Sequence, residues 1–200
     1  MDYTDLATVK SYMDAQEIVA DTILPGFITT ASRDIDRLCT SQPNVVDYFK
    51  QEDVVDEVLT NGVIDFAGRL TVFPHKPIIN SVSALSYRFS LRDSFITADP
   101  LLCSVEQEMV VFEGAVPSSE KVYVKISYNG GLATSTSGLP ADLRDITALQ
   151  AIRLFKEARS QLADQIGVAE LGIMVYTKAF PVRVMDTLQV GGYVRMAPWI

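Results

Sequence analysis

The first third of the chain carries apolar residues at the spacing of amphipathic helices. Thr8 is a plausible N-cap for a short helix, and a longer helix is expected in QEIVADTILPGFITTASRDIDRLC. Pro25-Gly26 should kink or restart this helix, because proline lacks a backbone donor and clashes with the preceding turn. One side of this longer helix is apolar and is predicted to pack against the rest of the protein, whereas the other side is charged. These are Ile28, Ala31, Ile35 and Leu38 on the apolar side, and Arg33, Asp34, Asp36 and Arg37 on the charged side.

The middle of the chain, about residues 45–130, changes to the period of β-strands. The pair Asn61-Gly62 lies between branched and aromatic residues, a strong hairpin signal. Further strands are predicted at 81–89, 108–113 and 121–129, and the last alternates apolar and polar residues. This pattern predicts a small antiparallel sheet or a barrel-like β subdomain.

A second long helix is expected after the flexible stretch NGGLATSTSG. Pro140 suits its first turn, where the missing backbone donor would have no helical partner. The apolar stripe that defines the helix consists of Leu143, Ile146, Leu149, Ile152, Phe155, Leu162 and Ile166. A short helix is predicted from Pro181 to Leu188, followed by a break at Gly191-Gly192 and a tail over residues 191–200.

Composition narrows the classes of protein that fit. Hydrophobic residues make up 48% and charged residues 21%, as in globular proteins. No apolar run reaches the roughly 18 to 20 residues that cross a bilayer, and the acidic start does not resemble a signal peptide, so we expect no membrane partner and synthesis in the cytoplasm. Cys39 and Cys103 are expected to be reduced. With one histidine, His75, we expect no metal site and no cofactor.

The distribution of charge argues against tight DNA binding, and the missing motifs argue against catalysis. The net charge is −8, and the excess lies in residues 1–60, which hold 12 acidic and 4 basic side chains. No basic stripe is visible, so DNA is expected to pass without specific binding. GxSxG, GxxxxGK[ST] and GxGxxG are all missing, and no carboxylate pair is marked as sharing a site. We therefore predict that the protein is not an enzyme and has no catalytic residues.

Five segments in order resemble the head-to-tail connector (adaptor) proteins of long-tailed bacteriophages. They are ATVKSYM, FITTASRDIDRLC, FPHKPIINSVSAL, VYVKISYNGG and LPADLRDITALQAIRLFKEAR. The resemblance covers about residues 8–40, 73–86 and 122–160. Each segment alone is common, and it is the ordered set that carries the resemblance. The β-rich middle departs from the compact helical members of the family and reads as an insertion.

The resemblance implies a fold, a function and partners. The expected fold is α+β: a helical connector core (residues 1–44 and 131–190) with an inserted antiparallel β subdomain (45–130) and an extended C-terminal tail (191–200). The expected function is a structural one, in the virion neck between capsid and tail, where copies form a ring under the portal. The ring, expected to be a dodecamer, would extend the DNA channel for packaging and ejection and support a stopper or tail protein.

The tail is the strongest candidate for partner binding, because apolar and aromatic residues at a chain end favour burial. Gly191 and Gly192 could form a hinge. Alternatively, the tail folds back on the protein's own core. The residues predicted to bind the portal or a neighbouring subunit are Tyr193, Val194, Arg195, Met196, Pro198, Trp199 and Ile200.

An acidic group near residue 50 could face a channel and repel DNA. Such a group is more often a solvated face, and a calcium loop is disfavoured because no DxDxDG-type spacing occurs. The residues are Asp47, Glu52, Asp53, Asp56 and Glu57. Two alternative functions remain: another phage neck or tail ring protein, such as a stopper or tail terminator, and a ligand-binding module unrelated to phages.

Overall fold

The secondary structure mixes helices with one large antiparallel sheet. The structure, a computed structural model, describes residues 1–13, 22–40, 46–106, 108–117, 121–160, 165–168, 173–176 and 180–194. Its elements are α1 (Leu6–Ser11), α2 (Leu24–Cys39), β1 (Glu52–Ile64), β2 (Leu70–Val72), β3 (Ile79–Arg88), β4 (Ile96–Ala98), β5 (Cys103–Glu106), β6 (Met109–Phe112), β7 (Val122–Gly130), α3 (Ala141–Ser160), β8 (Gln165–Val168), β9 (Ile173–Tyr176) and α4 (Val182–Val190). This mixture is compatible with the expected α+β class, whereas the helical connector core stays a prediction.

The chain divides into two compact units. The first, called the helical unit, comprises Met1–Asp47 and Ser135–Ile200. The second, called the β unit, comprises Tyr48–Thr134. The four-part domain division predicted from the sequence stays a prediction.

In the helical unit, α3 contacts α1, α2 and α4. The α2·α3 contact is made by small and large apolar side chains, with Phe27 and Phe155 packed edge to face at 5.9 Å between ring centroids. The fully buried core residues here include Val9, Leu24, Ala31, Ala148 and Ala151. Small residues let the helices approach closely while the aromatic pair fills the space at one side.

The structure corrects the predicted start of α1. Asp5, and not Thr8, is the N-cap: the Asp5 carboxylate accepts a hydrogen bond from the backbone N–H of Thr8 at 2.7 Å. The pKa of Asp5 is lowered, chiefly because this backbone hydrogen bond favours the charged form. Aspartate and threonine are both good N-cap residues. Asp5 makes the bond because it lies three positions before Thr8, whose backbone N–H is in the first turn of the helix.

Pro25 lies in the first turn of α2, which begins at Leu24. The restart predicted at Pro25-Gly26 is therefore a helix start, and the upstream residues 14–21 lie outside the described part. One residue on the predicted charged side, Asp36, is fully buried.

The second long helix is shorter than predicted. α3 ends at Ser160, and Ile166 lies in β8, which pairs with β9 through Ile166 opposite Val175. Leu162 lies outside the described residues. The apolar stripe had suggested one helix to Ile166, but a short run with branched residues fits a strand equally well when it finds a partner strand.

The β unit is a curled antiparallel sheet in the strand order β4-β3-β7-β1-β2-β6-β5. The edge strands β4 and β5 follow each other in the chain through the 3-10 turn Pro100–Leu102, and β5 also contacts β3. The inner face is apolar, and the alternation predicted for β7 is confirmed. The side chains of Val122, Val124, Ile126 and Tyr128 are all buried in its core.

The hairpin predicted at Asn61-Gly62 is wrong, because β1 continues through both residues. Thr60 and Asn61 together oppose the single residue Tyr123 of β7, which makes a β-bulge. A Cβ on Gly62 would lie 3.1 Å from both Leu70 and Val124, so this glycine permits close packing. The actual turn from β1 to β2 is formed by residues 65–69.

Candidate assembly surfaces

The predicted hinge lies at the C-terminus of α4. Gly192 has φ +69°, and the N–H of Tyr193 donates to the carbonyl of Leu188 at 2.9 Å. The N–H of Gly192 donates to Gln189 at 3.2 Å. These two bonds form a Schellman motif, in which a glycine with positive φ ends a helix and the next residue closes it. The two glycines therefore form a hydrogen-bonded helix end, and motion about them would require these bonds to break.

The side chain of Tyr193 is bound to its own unit. Its hydroxyl contacts the carboxylate of Asp142, in the first turn of α3, at 2.9 and 3.1 Å. Burial, followed by the hydrogen bond to this carboxylate, raises the pKa of Tyr193 above its ordinary value. The residues of the predicted docking segment after Val194, namely Arg195, Met196, Pro198, Trp199 and Ile200, lie outside the described part.

The predicted acidic group is divided between the two units. Asp47 belongs to the helical unit, where Arg33 binds it at 2.6 Å and also binds Asp36 at 3.0 Å. Asp36 accepts further hydrogen bonds from the hydroxyl of Tyr3 and from the backbone N–H of Asp47. Three donors thus surround a carboxylate that has no access to solvent, as burial of a charge requires.

The other four acidic residues lie along β1 in the β unit. Glu52 binds Lys50 at 3.1 Å and Lys76 at 2.8 Å. Asp53 accepts from the side-chain amide of Asn129 at 2.7 Å and is exposed. Whether these carboxylates line a channel stays a prediction.

Asp56 lies on the bulge of β1, with a positive φ of 55°. Its N–H donates to the hydroxyl of Ser127 at 3.0 Å, and its carboxylate lies 3.5 Å from the amine of Lys125. Its exposed side chain therefore belongs to the same outer surface as β7.

Glu57 is the most enclosed of the predicted acidic residues of β1. Its carboxylate lies 2.5 Å from Nδ1 of His75 and accepts from the hydroxyl of Tyr128 at 2.9 Å. Burial acts to raise the pKa of Glu57, but the contacts with His75 and Tyr128 outweigh it, so the pKa is lowered. The only histidine of the chain, in the loop after β2, is therefore held in a polar network with residues of β1 and β7.

Sequence reasoning missed a cluster of cations and aromatic rings on the outer face of β3 and β7. The guanidinium of Arg88 lies 4.4 Å from the ring centroid of Phe95 and 5.8 Å from that of Tyr123. The amines of Lys121 and Lys125 lie 5.1 Å from Tyr123 and 5.5 Å from Phe95, respectively. The signal was present in KVYVKI, because the alternation that buries the valines places Lys121, Tyr123 and Lys125 on the other face.

Within the described ranges, no group of three or more His, Cys, Asp or Glu side chains is arranged to hold a metal ion. The helices in the same part of the chain include none that is both long and apolar enough to span a bilayer. Cys39 and Cys103 are free thiols, and burial raises their pKa values to about 12 and about 11.

Solved structures with a similar fold come from gene transfer agent (GTA) particles. No protein-family model and no curated protein matches the chain. A chain in the virion of a native GTA particle matches with a TM-score of 0.50 and 16% identity, over 96% of this chain and 90% of that one. A chain in the C12-symmetric neck of the native particle (TM-score 0.48, 16% identity) is covered to the same extent. A chain in the C6-symmetric neck of the empty particle gives 0.48 and 15%, over 90% of this chain and 82% of that one. At 16% identity, the likeness to the virion chain concerns the fold, and it extends over 96% of this chain.

Proposed function

We propose that the chain is a structural protein of the neck of a phage-like particle. In this role it is a head-to-tail adaptor: copies form a ring under the portal, extend the DNA channel and offer a platform to a stopper or tail protein. The observation that carries the proposal is the fold shared with a chain of a GTA virion over 96% of this protein and 90% of that chain. The ordered segments that resemble connector proteins point to the same place in a particle.

The proposed mechanism is assembly by matched surfaces, with no bond made or broken. A closed ring of identical subunits needs two different surfaces on each copy, which meet head to tail. Weak contacts between subunits and a symmetric portal act together, because each bond formed raises the effective concentration of the next.

The first alternative is another ring protein of the neck or tail, such as a stopper or tail terminator. The 20-residue helix α3, which contacts the three other described helices of its unit, favours the adaptor, since the alternatives are expected to be dominated by β-structure. The second alternative is a ligand-binding module unrelated to phages, which the shared fold with a virion chain disfavours.

Co-sedimentation with portal particles tests the proposal. The purified chain should sediment as a species of 22.0 kDa at low concentration and should join portal particles in a fixed ratio. Electron microscopy of the complex should then show a ring of density beneath the portal. A chain that stays in the supernatant at every portal concentration, while remaining folded, would exclude the adaptor function.

A further inference from the structure

The outer face of β3 and β7 carries positively charged side chains beside aromatic rings. This surface, called the cationic flank, consists of Arg88, Phe95, Lys121, Tyr123 and Lys125. Three cations share two aromatic rings there, with cation-to-ring distances of 4.4 to 5.8 Å. Lys121 is exposed, and the side chain of Lys125 keeps 35% of its exposure. Rings under the amines hold the charges at defined positions, so less entropy is lost when a carboxylate binds them.

Arg88 differs from the two lysines, because it also supports the turn between β3 and β4. Its guanidinium donates to the carbonyl of Leu91 at 3.1 Å and to that of Asp93 at 3.4 Å. The amine of Lys125 lies 3.5 Å from the carboxylate of Asp56 and 5.5 Å from the ring centroid of Phe95. Changing the two lysines leaves these backbone contacts of Arg88 in place, so the test replaces the lysines.

The second surface is called the acidic flank and lies on β5, β6 and the segments next to them. From Asp99 to Glu113 the sequence holds four carboxylates and neither lysine nor arginine. Three of the carboxylates, Asp99, Glu106 and Glu113, are exposed in the structure. A basic residue, Arg69, lies near Glu106 and Glu113, and its guanidinium is bound to Asp65 at 2.7 Å.

The two flanks occupy different parts of one curled sheet. In strand order, β1 and β2 separate β7 from β6, so the positive and negative surfaces do not adjoin on that side. A subunit with opposite charges on two parts of its sheet is suited to a heterologous contact, in which the positive part of one copy meets the negative part of the next.

We propose that the cationic flank of one copy binds the acidic flank of the next copy in the ring. This inference rests on the proposed function for the existence of the ring, and it adds the surfaces and the direction of the contact. The occupant is a second copy because one β unit carries both complementary charges, and because exposed carboxylates form charge-assisted hydrogen bonds with lysine and arginine.

A nucleic acid is the other ligand that such a flank could attract, since cations among aromatic rings also bind single strands. The charges disfavour it. The whole chain carries a net charge of −8, and Asp56 and Asp93 lie at the flank itself. A carboxylate surface of limited extent fits this arrangement better than a long phosphate backbone does.

Charge-swapped variants test the contact. Variant A carries Lys121→Glu and Lys125→Glu, and variant B carries Glu106→Lys and Glu113→Lys. Sedimentation velocity of the chain without portal should show self-association of the wild type that weakens with salt. Each variant alone should associate about tenfold more weakly or worse, because like charges then face each other. An equimolar mixture should recover assembly, since A and B can alternate around a ring.

The matched control carries Arg37→Glu and Lys156→Glu, two exposed cations of the helical unit. It changes the net charge by the same amount as variant A and should associate like the wild type. Circular dichroism and thermal unfolding establish that each variant is folded.

The outcomes separate the inference from the proposed function. Folded variants that associate as well as the wild type, a mixture that recovers nothing, or a control that fails equally would each overturn the contact, as would a wild type that never self-associates. Loss of binding to a DNA oligonucleotide in variant A with unchanged self-association would make the flank a nucleic-acid surface instead. A wild type that self-associates through these flanks but ignores portal particles would overturn the adaptor function and leave the contact standing.

Discussion

At the scale of single residues, most of the acidic side chains that stood out in the sequence have partners. Asp36 is completely buried and receives hydrogen bonds from Tyr3, Arg33 and the backbone of Asp47. Glu57 is bound by His75 and Tyr128. These carboxylates connect segments that lie far apart in the chain, and their contribution to stability should exceed that of exposed ion pairs.

Replacing Asp36 with alanine should lower the free energy of unfolding by about 3 kcal/mol, because Arg33 and the Tyr3 hydroxyl lose a buried acceptor. Chemical denaturation measures the change. Asp34→Ala is the control, since the contacts of Asp34 with the exposed Arg37 and with the side-chain amide of Gln150 are both longer, at 3.4 Å. The control should cost about 1 kcal/mol or less. Equal losses for the two variants would contradict the role assigned to Asp36.

The lowered pKa of Glu57 predicts an acid-dependent loss of stability. The folded chain holds this carboxyl in its charged form below the ordinary pKa of 4.5, so the unfolded chain binds more protons there. The stabilisation is complete above pH 4.5 and is lost as the pH falls through the folded pKa. Glu57→Gln should flatten this part of the curve of unfolding free energy against pH, whereas Asp53→Asn, at an exposed site, should leave it steep.

At the scale of elements, the sheet depends on bulges and on tight glycine positions. β1 contains two irregularities against β7, between Val54 and Glu57 and between Leu59 and Gly62. Each lets the long strand bend with the curl of the sheet. Gly131 follows β7 directly with φ +114°, and its N–H bonds to the carbonyls of Pro77 and Ile78. This junction joins the strand to the loop before β3.

Gly131→Ala should destabilise the β unit by about 3 kcal/mol or more, because the backbone conformation excludes L side chains. The new Cβ would also lie 2.3 Å from the backbone oxygen of Lys50. Gly26→Ala is the matched control: nothing lies within 4 Å of its Cβ position, in the first turn of α2. The control should be neutral or stabilise by up to about 1 kcal/mol. Thermal unfolding measures the stability of both variants. A Gly131→Ala variant as stable as the wild type would contradict the packing described.

At the scale of the whole molecule, the proposed function depends on surfaces that meet other subunits. Tyr193 and Val194 belong to the described C-terminal end, where Tyr193 closes α4 and binds Asp142. The predicted docking residues beyond them lie outside the described part of the chain, and their binding to the portal stays a prediction. The closing contacts of α4 and the docking contacts can thus be separated by cutting after Val194.

Deleting residues 195–200 should therefore leave the melting temperature nearly unchanged and abolish co-sedimentation with portal particles. The reason is that the apolar and aromatic side chains of this segment are predicted to anchor it on the portal. Tyr193→Phe is the complementary variant: it removes the hydroxyl contact with Asp142, should cost about 1 kcal/mol of stability and should keep portal binding. A truncated chain that unfolds would show that the tail belongs to the protein's own core.

The sequence by itself determined the helical first third, the β-rich middle and the helix after Pro140, because the period of apolar residues is a local property. The strand at 122–130, the start of α3 after Pro140 and the short helix α4 all follow from that pattern. The resemblance to connector proteins likewise rests on local segments in order.

Tertiary structure alone decided the features that depend on distant partners. Asn61-Gly62 is a good hairpin turn in isolation, but pairing with β7 draws it into a bulge. The sequence pattern predicts Asp36 on the charged side of its helix, but the folded chain buries it and brings Tyr3 and the backbone of Asp47 within hydrogen-bond distance. Glu57 likewise accepts a hydrogen bond from Tyr128, which is 71 positions away in the sequence. Such contacts form because burial makes unpartnered polar groups costly, and local sequence does not reveal which distant group will satisfy them.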